Sequence, residues 1–260
     1  IPIFDIDGKK PDTDLHYSQI NMQHVLLRSR FAHQATENLY YGIHYGILNY
    51  NGYFNGHRSR HQDIGLNFRY SKKHYTAYLS FTHNANNQSE NGGLENTVLS
   101  LTDMLFLVNL PVRLNTASNG SPKHENRHLS VSYRHFWQNN IENPTFKIGH
   151  QLLFENNKFK YFDSNPSPDS SFYGNFQTNN RGIRHFLLHR VLDNEFSWTQ
   201  SFGGNLNKSA LIFKAFVGYR WNGVNQEPEK FNVHNLYAGA ELKDRLNGPL
   251  TYNADIKFVN

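Results

Sequence analysis

The chain has no cysteine, so neither a disulfide framework nor a thiolate metal site is open to it. It also lacks any apolar run of about 18 residues, and its mean hydropathy is -0.68. Membrane-spanning helices are thereby excluded. A membrane protein built from strands is not, because such strands need an apolar residue only at every second position. Ile1-Pro2-Ile3-Phe4 lacks the basic segment and apolar core of a signal peptide, as a mature or trimmed chain would. Acidic groups are outnumbered, with 26 Lys and Arg against 21 Asp and Glu. That excess fits nucleic acid, anionic lipid or a pore lined for anions, and does not choose among them.

What the chain has in quantity is aromatic surface, 15% of residues with 15 Tyr and 20 Phe. Aromatic girdles at the two membrane interfaces use such residues. Their setting is clearest from His61 to Glu95. Ile64, Leu66, Phe68 and Tyr70 alternate with Gly65, Asn67 and Arg69, which is the period of a strand with one apolar and one wet face. Ser71-Lys72-Lys73 reverses the chain, Ala77, Leu79 and Phe81 return it, and a long polar loop is expected from His83. A tight turn at one end and a long loop at the other is the hairpin unit of an outer-membrane β-barrel.

The rest repeats that unit. Residues 1–13 read as an extended N-terminal segment and 14–260 as the barrel. Strands are expected at Leu15–Gln19, His24–His33 and Leu39–Tyr50, then at Leu129–Arg134, Leu211–Trp221, Leu236–Leu242 and Tyr252–Phe258. Asn139 to Asn143 is expected to turn the chain and Asn222 to Lys230 to form a loop, while Phe146 to Phe162 is one long strand or a hairpin reversing at Asn156-Asn157. Ile183–Val191 and Phe196–Phe202 are expected to pair across a turn at Leu192-Asp193-Asn194. The total is roughly eleven to thirteen strands of about ten residues, enough to cross a bilayer when tilted. The segment 83–125 is too long for an ordinary connection. Its apolar run around Met104, Phe106 and Pro111 contains a proline, which argues against a central strand and for an element folded over or into the barrel mouth, a plug or an external docking element. If it constricts a pore, deleting Thr97–Leu114 is expected to raise single-channel conductance; an unchanged conductance rules the plug out.

The alternation assigns roles by face. Arg28, Arg30, Arg69, Arg134, Lys214, Arg220, Asp255 and Lys257 fall on the wet face and are candidate lumen-lining groups. Phe68, Phe81, Trp198, Tyr219 and Trp221 fall on the other and are candidate lipid-facing girdle residues. A basic lumen favours anionic solutes, while charges paired across a filled barrel would favour none. His57 and His61 stand four apart, yet in a loop beside Arg58 and Arg60, where no third ligand follows at telling spacing; contact with solvent or interfacial lipid explains them better than a metal. His135, His150, His185 and His189 lie near Ser132 and Ser197, but no strained GxSxG turn is present. Gly92-Gly93 has no following Lys-Ser/Thr, so a tight loop explains it better than a phosphate site. No enzyme, cofactor or metal is expected.

Several motifs also resemble the putative-porin family of Bacteroidota outer membranes. They are Gly52-Tyr53-Phe54 before HRSRHQD, Glu90-Asn91-Gly92-Gly93-Leu94 after a strand ending in Asn84, Val112 to Ala117, and His150 through Tyr161-Phe162-Asp163 to Tyr173-Gly174-Asn175. The similarity covers approximately residues 14–195. It implies an outer-membrane β-barrel and, by name only, diffusive transport. Members are typically much longer, and the last strand ends at Phe258-Val259-Asn260 without a terminal aromatic, so further strands are expected beyond this chain. The functional expectation is a porin-like passive channel for small solutes, anionic ones among them. The alternative is a non-conducting subunit or scaffold of a larger outer-membrane complex. A soluble β-sandwich binding glycans is a third class, opposed by so many aligned aromatics. The expected partners are outer-membrane lipid, lipopolysaccharide and other outer-membrane proteins, not nucleic acid.

Overall fold

The computed structural model describes residues 10–20, 24–52, 56–92, 122–140, 142–164, 166, 182–204, 206, 211–226 and 228–244, and the backbone of 253–259. Eleven strands follow in chain order: β1 (Asp12–Ile20), β2 (His24–Thr36), β3 (Leu39–Asn51), β4 (Arg58–Lys72), β5 (Tyr75–Ser89), β6 (Lys123–Gln138), β7 (Phe146–Asp163), β8 (Ile183–Phe202), β9 (Leu211–Gln226), β10 (Glu229–Asp244) and β11 (Asn253–Val259). They form a single antiparallel sheet in which each strand pairs with its neighbours in sequence. β1 and β11 are its two edges, and among the described residues no pairing joins them.

One end of the sheet carries tight connections whose polar groups are satisfied locally. The β4–β5 hairpin turns through Lys73-His74, with Lys73 at a φ of 49°. The β6–β7 turn is organised by Asn139, whose Oδ1 accepts from the amides of Thr145 and Phe146 at 3.0 and 3.2 Å, and by Asn140, whose Oδ1 accepts from the amides of Glu142 and Asn143. These are the Asx turns that an Asn-rich segment favours. The reversal expected at Asn139 to Asn143 is therefore present. At the opposite end, residues 90–122 join β5 to β6 and 164–182 join β7 to β8.

Three strand assignments differ from the sequence reading and one open alternative is decided, for one shared reason. Polar residues that favour turns are held inside strands by partners on neighbouring strands. β8 runs unbroken from Ile183 to Phe202, so Leu192-Asp193-Asn194 is not a turn. Leu192 pairs between Phe154 and Trp221, Asp193 is held by Arg220 and Tyr237, and Asn194 Oδ1 lies 2.7 Å from His150 Nε2. β7 is one strand, with Asn157 Oδ1 2.5 Å from His128 Nδ1. β5 continues past His83 to Ser89, so the long loop begins at residue 90. The segment from Asn222 to Lys230, read as a loop, belongs to β9 and β10, which reverse between Gln226 and Glu229. Met104, Phe106 and Pro111 lie outside the described residues.

Cross-strand register sorts the side chains into two faces, since paired residues point the same way. On one face, rungs run Leu66–Phe81–Val131–Phe154–Leu192–Trp221, then Tyr70–Ala77–His135–His150–Phe196–Val217. Solvent exposure there is inverted relative to a soluble protein: Ile148 is 52% exposed, Phe196 54%, Val217 54% and Leu236 63%. The buried apolar residues Ala32, Val191, Ile212 and Phe216 lie on the other face. A contiguous apolar face open to its surroundings marks contact with lipid or protein. The rungs from Leu66 to Lys72 make a predominantly apolar belt about 20 Å long measured along the strand.

Candidate functional site: the polar face of the sheet

The opposite face carries a polar band from β3 to β10 among the buried apolar residues named above. Its central rung reads Tyr40, Arg69, Tyr78, Arg134, Gln151, Glu195, Gly218 and Tyr237, one residue from each of β3 to β10. The period of two that puts Phe68 and Leu79 on the apolar belt necessarily puts Arg69 and Tyr78 here. The Arg69 guanidinium lies over the Tyr40 ring at 5.5 Å, and that of Arg134 over Tyr78 at 4.9 Å. Both distances suit a cation–π contact. A cavity of ≈ 450 Å³ opens here, bordered by Tyr40, Arg69, Tyr78, Ser132, Arg134 and Glu155. A second, of ≈ 420 Å³, adjoins it between Arg134, Lys147, Gln151, Glu195, Lys214 and Glu241.

Toward β8–β10 the charges are paired. Arg220 donates from both Nε (3.0 Å) and a terminal nitrogen to Asp193, and the Tyr237 hydroxyl donates to the other carboxylate oxygen at 2.7 Å. Lys214 lies 3.2 Å from Glu195 and 3.9 Å from Glu241, and Lys243 is 3.0 Å from Glu241. Toward β1–β4, Arg30 pairs with Asp12 at 3.5 Å, and Asp63 lies 3.7 Å from both His44 and His61. Glycines make room for several of these groups. A Cβ on Gly218 would strike the Tyr237 ring, and one on Gly65 would strike His44. Gly218→Val is expected to push Tyr237 off Asp193 and cost about 1–3 kcal/mol. The midpoint of urea unfolding in detergent checks this, and an unmoved midpoint would show that the phenol–carboxylate contact adds nothing.

Register therefore places Arg28, Arg30, Arg69, Arg134, Lys214 and Arg220 on the polar face, with Asp255 and Lys257 opposite Glu241 and Gly239 by backbone pairing. It brings Arg69 and Arg134 to one cavity and leaves Arg28 apart, on a rung with His16 and Gly46. Phe68, Phe81, Trp198, Tyr219 and Trp221 all lie on the belt face. There Phe68 stacks on Tyr41 at 6.3 Å, Trp198 meets Phe213 edge-on at 5.9 Å, and Trp221 Nε1 donates to Asn232 at 3.2 Å. Sequence reasoning missed the carboxylates Asp193 and Glu195, because that stretch reads as a turn. It also missed Tyr40 and Tyr78 as ring partners of the arginines, although their alternation with Tyr41 and Leu79 carries the signal.

An antiparallel sheet in chain order, with one apolar and one polar face, is the wall architecture of a β-barrel. Among solved structures, a mutant of the ferric enterobactin receptor PfeA from Pseudomonas aeruginosa resembles it, with a TM-score of 0.57 at 11% identity over 96% of this chain. The chain spans 38% of that receptor's length. No match is found among curated proteins. The family described as putative porin matches residues 6–260, and the chain belongs to that family.

Proposed function

We propose that the chain is the wall of an outer-membrane porin whose polar face lines a water-filled path for small solutes, and that solutes cross it by passive diffusion. The observation that carries this reading is the division of the sheet into an exposed apolar belt and a polar face holding two adjoining cavities. Lipid accepts the first, and water and solute the second. Arg69 and Arg134, held over tyrosines at one level, favour small anions, while the ion pairs around Asp193 and Glu195 narrow the path without adding net charge. No catalytic role is part of this reading. Family membership supports it, and the motif resemblance adds a Bacteroidota outer membrane as the location.

The test is single-channel conductance of the purified full-length protein in a planar bilayer under a salt gradient. Stable anion-selective steps are expected. Silence from a folded, heat-modifiable barrel would overturn the channel.

A second reading, a non-conducting subunit or scaffold of a larger outer-membrane assembly, is favoured by one observation. On the belt face His135 Nε2 lies 3.0 Å from His150 Nδ1, and His150 Nε2 lies 2.7 Å from Asn194 Oδ1. Polar side chains are costly against hydrocarbon, whereas a protein neighbour can accommodate them. Co-purification with other envelope proteins in mild detergent, lost on His150→Leu, is the expected mark of that role.

A further inference from the structure

Above the apolar belt, at the end carrying the long loops, the belt face changes character abruptly. Its outermost rung on β4–β8 reads Arg58, Ser89, Lys123, Phe162 and Arg184, and the next reads Arg60, Asn87, Glu125, Lys160 and Phe186. The third carries Gln62, Ala85, Arg127, Lys158 and Leu188. Two rungs further along, about 13 Å along the strand, begins the unbroken apolar row Leu66–Phe81–Val131–Phe154. Among the described residues of these strands, Glu125 is the single carboxylate on this face, and it is engaged by Arg127. Arg58, Arg60, Lys123 and Arg184 are exposed. A cavity of ≈ 480 Å³ sits among Arg58, Arg60, Ser89, Lys123, Glu125 and Lys160. At the turn end of the same face the corresponding rung on β4–β8 carries a single cation, reading Lys72, Tyr75, Trp137, Ile148 and Trp198.

We propose that this basic cleft on β4–β7 is a binding site for the phosphate-bearing headgroup of an outer-leaflet lipid, whose acyl chains lie on the apolar row beneath it. The site rests on the outer-membrane reading above. Like charges on neighbouring strands repel, so the cluster destabilises the bare sheet, and a bound polyanion offsets that repulsion. Cations at the hydrocarbon boundary attract anionic headgroups, each contributing about 1 kcal/mol. The arrangement selects a lipid over free phosphate. Inorganic phosphate meets only the polar side chains of the cleft, whereas a lipid meets those and the apolar wall together. The asymmetry between an outermost rung with three cations, Arg58, Lys123 and Arg184, at one end and one with Lys72 alone among apolar and aromatic residues at the other assigns the site to one leaflet.

The experiment uses the full-length protein folded in zwitterionic detergent, titrated in mixed micelles with bisphosphorylated lipid A and, separately, with the same lipid dephosphorylated. Native mass spectrometry and tryptophan fluorescence read the binding. The wild type is expected to bind the phosphorylated lipid at least roughly 10-fold more tightly than its phosphate-free form. The variant R58Q/R60Q/K123Q/K160Q is expected to lose that preference, while K72Q/K73Q at the opposite end keeps it. If the quadruple variant does not show the heat-modifiable gel shift of a folded barrel, K123Q/K160Q replaces it, with a partial loss expected. Equal binding of both lipids, or a quadruple variant that keeps the preference, overturns the site. So does inorganic phosphate that displaces the lipid at equal concentration, which marks a general anion site. Partitioning of the wild type into the aqueous phase without detergent would instead sink the membrane reading itself, so the two failures are distinguishable.

Discussion

Replacing both Arg69 and Arg134 with glutamate is expected to turn an anion-preferring channel into a cation-preferring one. The two side chains share a cavity wall, one strand apart on the same rung, with the Tyr78 ring between them. Adjacent strands lie about 4.8 Å apart, so their Cα atoms are about 10 Å apart and their fields add at the solute. The double reversal changes the local charge by four. At about 10 Å and a surface-like effective dielectric constant, each unit charge shifts the energy of a monovalent ion by about 1 kcal/mol. The combined effect exceeds the roughly 1.4 kcal/mol that corresponds to a tenfold change, even after allowance for screening in salt. The reversal potential under a salt gradient is therefore expected to change sign, with total conductance altered far less. An unchanged reversal potential would show that permeating ions do not pass this rung. Arg69→Gln and Arg134→Gln singly are expected to give intermediate values.

Asp193→Ala is expected to cause the largest loss of stability among single substitutions on the polar face. Asp193 is 9% exposed and is the shared acceptor for Arg220 and Tyr237, so its removal strands a guanidinium and a phenol at once. Loss of one partner of a fully buried pair costs about 3–5 kcal/mol. The Arg220 side chain is 49% exposed and can recover part of its solvation, which brings the expected loss to about 1–3 kcal/mol. Asp193→Asn keeps an acceptor for one donor and is expected to lose less. In D193A/R220L the second substitution is expected to cost less than it does alone, because the stranded charge is gone. Urea midpoints in detergent for the four proteins of that cycle measure the coupling. Strict additivity would mean that the pair contributes nothing in water-filled surroundings.

Both predictions concern residues whose importance depends on their neighbours, and there the sequence is least explicit. The pattern Ile64, Leu66, Phe68 against Gly65, Asn67, Arg69 already determines a strand and its two faces, because side chains alternate with a period of two whatever lies beside them. From that period alone followed the all-β class, the apolar belt with Phe68, Phe81, Trp198, Tyr219 and Trp221, and the side on which Arg28, Arg30, Arg69, Arg134, Lys214 and Arg220 stand. The missing cysteines and apolar helices narrowed the class further, and the ENGGL segment pointed to the family that the full-length match gives. What periodicity does not carry is register. Leu192-Asp193-Asn194 has the composition of a turn, and only Phe154, Arg220, Tyr237 and His150 on other strands hold it extended. The meeting of Arg58 and Arg60 with Lys123 and Lys160, from strands separated by a long loop, is likewise invisible in the linear chain. The sequence by itself determined the strands and their faces, since both are local consequences of alternation. Tertiary structure decided where strands continue and which charges meet, since those depend on hydrogen bonds and ion pairs between residues distant in sequence.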